Sequence, residues 1–167
     1  MHHVTFRVPS LDEACARARI HGYDIVGRDD SDPQWKEAFL HPKQALGIVV
    51  QIVETTGSGE EGPTHWTPPA GPPDPPPPVV LVGLRLRAHS RERAQRQWQQ
   101  ILEGELDERE GELIYRWPGS PMRLAVSIDP TSDEGPLAIE YASARVVAVP
   151  DGRHPVLGAA FVPCALI

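Results

Sequence analysis

His3, Thr5 and Arg7 alternate with Val4, Phe6 and Val8 in the opening stretch HHVTFRV. A period of two puts the first set on one face of a strand and the second on the other. One face is therefore apolar, and the other carries an imidazole, a hydroxyl and a guanidinium. The same alternation returns in VGLRLRA, where Leu84 and Leu86 oppose Gly83, Arg85 and Arg87. Arginine offers a planar, two-pronged donor that matches a carboxylate or a phosphate. Arg7, Arg85 and Arg87, with Thr5 beside them, are thus candidates for holding an anionic small molecule. Two more polar side chains interrupt apolar strand patterns, Gln51 in GIVVQIVE and Glu140 in LAIEYA. By alternation both point the way His3 does. Glu140 is also placed to pair with Arg85 or Arg87 across a sheet, the usual condition of a buried charge.

The elements that position these residues form a pattern used twice. After the first strand, Ser10 with Glu13 makes a capping box, Leu11, Cys15 and Ala18 form an apolar stripe, and Gly22 ends the helix. Strand patterns follow at Asp24–Gly27, Trp35–Leu40 and Gly47–Val53. The order repeats with a strand at Val80–Ala88, Ser90 as helix cap, Ala94, Trp98 and Ile101 as the stripe, and Gly104 as the stop. Later strands are expected at Glu112–Trp117, Met122–Ile128 and Leu137–Tyr141. An internal repeat of this kind is an architectural signal. It predicts an α+β fold of two βαβββ modules, residues 1–54 and 79–142, whose curved mixed sheets line one cleft with their polar faces.

Between the modules, residues 55–78 contain nine of the chain's 19 prolines and no periodic apolar face. They read as a semi-rigid, polyproline-like spacer. A homodimer is the expected assembly, and the length of the spacer lets the modules pair within one chain or exchange between two. Residues 143–167 form a tail that resembles neither module. The net charge of −7 disfavours capture of nucleic acid or anionic lipid. No apolar run approaches the roughly 20 residues of a membrane span. Two cysteines in 167 residues do not make a disulfide framework, and a reduced, cytoplasmic protein is expected.

Residues 2–54 resemble the second half of methylmalonyl-CoA epimerase-type proteins in the vicinal oxygen chelate superfamily. The paired histidines before an alternating strand, the short helix ending in glycine, the FLHP strand end and the polar residue inside the closing strand carry the likeness. Residues 79–142 share only the element pattern. The resemblance implies the glyoxalase/bleomycin-resistance fold and a divalent metal (Mg, Mn, Co, Ni or Zn) held by the first and last strands of each module. Carried onto this chain, the four ligand positions fall on His3, Gln51, Gly83 and Glu140. Glycine cannot ligate, which leaves His3, Gln51 and Glu140, with Glu140 as the base that removes a proton alpha to a carbonyl on a small, anionic or acyl-CoA substrate. The competing expectation is a member that lost its metal at Gly83 and binds a small molecule without transforming it.

Overall fold

The computed structural model describes residues 3–56, 70–75, 78–156 and 158–164. His2 and most of the proline-rich spacer lie outside the described residues. The first sheet contains β1 (His3–Arg7), β2 (Ile25–Asp32), β3 (Trp35–Leu40) and β4 (Val49–Thr55) in the order β1-β4-β3-β2. The helix α1 (Leu11–Ile20) follows β1. Ser10 caps it by accepting the Glu13 amide at 3.3 Å, and Leu11, Cys15 and Ala18 are buried. Gly22 follows it with φ of +80°, a left-handed conformation that glycine reaches without strain. Removing the cap oxygen in Ser10→Ala is expected to cost about 1 kcal/mol, seen as a lower urea midpoint at unchanged slope.

The second sheet has six strands in the order β10-β9-β5-β8-β7-β6. Its members are β5 (Val79–Ala88), β6 (Glu105–Arg109), β7 (Glu112–Arg116), β8 (Arg123–Ile128), β9 (Gly135–Ser143) and β10 (Ala160–Pro163). Between β5 and β6, α2 (Arg91–Gln95) runs on into a π-helical stretch, Arg96–Ile101. Ser90 caps this helix as Ser10 caps the first, accepting the Arg93 amide at 3.3 Å.

One strand assignment changes. β8 runs parallel to β5, as β4 runs parallel to β1. The structural counterpart of β4 is therefore β8, and β6 is a strand the apolar pattern did not show. Its sequence ELDER carries one apolar residue, Leu106, among four charges. β9, taken from the sequence as the counterpart of β4, instead adds antiparallel to the free edge of β5. The tail then supplies β10, parallel to β9.

Both halves share one apolar cluster. Leu11, Ala14 and Ile52 from the first belong to the same buried group as Leu86, Trp98 and Tyr115 from the second. Polar groups cross the seam as well. The buried Gln97 donates to the Ala45 carbonyl at 3.3 Å, and Arg17 donates to the Ile101 carbonyl at 3.1 Å and pairs with Glu103 at 2.7 Å. Cys15 and Cys164 are free thiols. Among the described residues no helix is long and apolar enough to cross a membrane.

Candidate functional site

A cleft of about 820 Å³ opens between β1 and the turn joining β7 to β8. β1 supplies one wall with residues of both its faces, and Trp117, Met122, Arg123 and Leu124 supply the other, with Leu84 of β5 also lining the cleft. Trp117 is held in place from three directions. Its Nε1 donates to the Leu102 carbonyl at 2.6 Å, and its ring meets Phe6 edge-on with centroids 4.8 Å apart. The third contact is at Gly104, where a Cβ would come within 2.8 Å of the indole. A fixed aromatic wall costs little entropy when a ligand packs on it. Among the described residues lining the cleft none is Asp or Glu, although the chain carries 23 of them. Arg7, Arg123 and His3 are its ionisable side chains.

Of the residues singled out from the sequence, His3, Thr5 and Arg7 line this cleft. Gln51, Arg85, Arg87 and Glu140 do not. Gln51 is opposite Thr5 in the β1–β4 register and accepts from the Thr5 hydroxyl at 2.7 Å. Its amide nitrogen donates to Glu37 at 2.7 Å, and Glu37 also accepts from Trp35 Nε1 at 2.9 Å. This is a hydrogen-bonded row across three strands, with both ends of the Gln51 amide engaged. Arg87 lies 3.9 Å from Asp129.

Glu140 is fully buried in the second sheet and accepts three charge-assisted hydrogen bonds. Arg123 donates from Nε at 2.7 Å and from Nη2 at 3.1 Å, and Arg85 donates from Nε at 2.9 Å. Arg85 reaches on from Nη1 to Glu112 at 2.8 Å. Two cations thus meet two anions. Burial pushes the Glu140 carboxyl up, but the hydrogen bonds and charge of Arg123 and the charge of Arg85 outweigh it and hold the group below its ordinary range. The pairing with Arg85 is one the sequence allowed. Arg123 was not singled out, although its signal was present: in β8, Arg123, Ala125 and Ser127 alternate with Leu124, Val126 and Ile128, which puts Arg123 opposite the core face.

The metal implied by the resemblance is tested by these donors, and they do not fit it. Matching the caps Ser10 and Ser90 sets His3 against Gly83 and Thr5 against Arg85. Thr5 pairs with Gln51, and Arg85 pairs with Ala125. The counterpart of Gln51 is therefore Ala125, which has no donor, and Glu140 stands on an added strand. At Gly83 the Arg123 carbonyl occupies the space a Cβ would need, so no larger side chain fits there. Among the described residues no three His, Cys, Asp or Glu side chains gather as a metal site.

No protein-family model and no curated protein matches the chain. Solved structures do. A hypothetical protein from Staphylococcus aureus aligns with a TM-score of 0.62 at 7% identity, covering 98% of this chain and 65% of that one. The Mn(II)-bound glyoxalase from Novosphingobium aromaticivorans aligns at 0.55 and 9% identity, covering 85% of this chain and 46% of its own. The 2,2',3-trihydroxybiphenyl 1,2-dioxygenase from dibenzofuran-degrading Sphingomonas wittichii aligns at 0.53 and 11% identity, covering 85% and 53%. The chain thus spans between about half and two thirds of the length of these three proteins. At such identities the likeness speaks to architecture alone. With its two curved mixed sheets and few helices, this α+β chain has the glyoxalase/bleomycin-resistance fold, the architecture it shares with the glyoxalase and the dioxygenase above.

Proposed function

We propose that this chain binds a small, largely apolar molecule in the cleft between β1 and the β7–β8 turn, without transforming it. The observation that carries this reading is the composition of the cleft wall, which is mostly apolar, with Phe6, Leu84, Trp117, Met122 and Leu124 among its residues, and free of acidic side chains among the described residues. Such a wall binds by burying apolar surface.

The finer reading implied by the resemblance, an epimerase-like proton transfer beside a divalent metal, asks for a carboxylate free to take up a proton. Glu140 has its two oxygens engaged by Arg85 and Arg123 and is held in the ionised state. A base with a depressed pKa is a weak acceptor of a carbon-bound proton. The fold shared with a Mn(II)-bound glyoxalase is what keeps that reading in view. The remaining expectations, a homodimer, with or without exchange of modules, and a cytoplasmic location, are compatible with a binding protein of this kind and are independent of it.

The test is calorimetric. Naphthalenemethanol, a neutral aromatic probe, is expected to bind saturably at one site, and titration with Mg, Mn, Co, Ni or Zn is expected to give neither heat nor a rise in melting temperature. Met122→Asp, which places a charge on the cleft wall, is expected to weaken the probe several-fold. Stoichiometric metal binding with a raised melting temperature would return the metal-dependent reading to first place.

A further inference from the structure

We infer that the ligand of this cleft is a planar aromatic lactam, with an N–H and a C=O side by side on one edge, paired with the main chain of Thr5. This names the chemical class for the binding reading above and rests on it.

β1 ends the first sheet, with β4 on one side and no strand on the other among the described residues. Val8 donates to the Val53 carbonyl at 2.8 Å. In an extended chain a residue turns its N–H and C=O to the same side, and the next residue turns its own to the opposite side. Val4, Phe6 and Val8 therefore face β4, and the N–H and C=O of Thr5 face the free edge. The cleft lies along that edge. Every residue from His3 to Pro9 lines it, whereas a cleft over one face of the strand would meet alternate residues only. The Thr5 hydroxyl is committed to Gln51 at 2.7 Å, so what Thr5 offers the cleft is its main chain.

The apolar walls decide what can pair there. Phe6 packs on Trp117, and Trp117 and Leu124 line the cleft opposite β1. A ligand that fills the space between them displaces water from the Thr5 N–H and C=O. A wholly apolar ligand leaves both groups unsatisfied, a cost that a matching donor and acceptor remove. A trans amide carries its N–H and C=O on opposite sides and can satisfy only one of the two. A cis amide held in a ring presents both on one edge and closes two hydrogen bonds at once. Its ring system also supplies the flat surface that packs against a fixed indole. The pairing asks for no charge on the ligand, in keeping with Arg123 already being held by Glu140.

Carbostyril, a bicyclic aromatic lactam, and N-methylcarbostyril share one aromatic body, and only the first can donate to the Thr5 carbonyl. Calorimetry is expected to show carbostyril binding about tenfold more tightly. Without the pairing, the added methyl would make the second probe the equal or the tighter ligand. Thr5→Pro deletes the N–H and puts its ring on the free edge, a place where a strand tolerates proline. The ratio of the two affinities is expected to fall to about twofold, whereas a mere change of cleft shape, felt by both probes alike, would leave it at about tenfold. In the wild type, the Thr5 amide proton is expected to move downfield in NMR spectra as carbostyril saturates the site. Equal or tighter binding of N-methylcarbostyril, an unmoved Thr5 amide, or an undiminished ratio in Thr5→Pro would overturn the pairing, and the binding function stands if naphthalenemethanol still binds. Failure of naphthalenemethanol and of both lactams would overturn the binding function itself, and this inference with it.

Discussion

Glu140→Gln is expected to lower folding stability by about 3 kcal/mol at neutral pH, with the loss confined to conditions in which the wild-type carboxylate is ionised. Glu140 has no solvent-exposed surface and accepts from Arg85 once and Arg123 twice. Breaking a buried ion pair from one side typically costs 3–5 kcal/mol, because the partner keeps its charge without its counter-ion. The lower end applies here, since the Arg85 side chain is 37% exposed and water can take over part of its solvation. The pH dependence follows from the sign of the shift. The folded carboxyl titrates below its ordinary value of 4.5, so its contribution is fully present above that value and is lost as the pH falls through the lower, folded one. Wild type should therefore weaken on acidification below about 4.5, and the variant should lack that part of the acid limb. Urea midpoints measured at neutral pH and down an acid series check both parts. A variant as stable as wild type at neutral pH would show that the pair is not formed.

The second large effect is expected at Gly83. The β5–β9 register slips between Leu81 and Gly83, and on the other side β8 comes so close that the Arg123 carbonyl fills the place of a Cβ. Glycine inside a strand commonly marks such a bulge and close approach. Gly83→Ala would have to push β8 outward, an overpacking that costs about 3 kcal/mol. It would also move Arg123 relative to Glu140. The two substitutions share that contact, so their combined cost should fall short of additivity. A Gly83→Ala variant with an unchanged denaturation midpoint would contradict the close approach. Histidine at this position, the ligand type the epimerase-like pattern lacks, meets the same carbonyl with a larger side chain. A single substitution is therefore not expected to recreate a metal site there.

These two residues also show how far the sequence carries. Gly83 was legible as a missing ligand, but its reason, the β8 backbone pressed against it, lies 40 residues away at Arg123. Glu140 was legible as a carboxylate on an apolar strand with Arg85 among its natural partners. That Arg123 would take two of its three bonds depended on β8 and β9 flanking β5 from opposite sides. The helix caps at Ser10 and Ser90 and the apolar faces of β1 and β4 were read correctly because caps and alternation are local, decided within a few residues of chain. β6 was missed because a strand at a sheet edge tolerates charge on both faces, and ELDER has too little apolar alternation to show.

By itself, then, the sequence determined the α+β class, the repeated strand–helix–strand order and the polar face of β1, since each follows from short-range periodicity and capping. Only the tertiary structure decided which strand stands where β4 stands in the first sheet. β8 and β9 both follow β5 with alternating apolar residues, and nothing local distinguishes a parallel neighbour from an antiparallel one. The choice is made by which edge of β5 each strand reaches, and it moves Glu140 from a ligand position into an ion pair and brings Arg123 to the cleft.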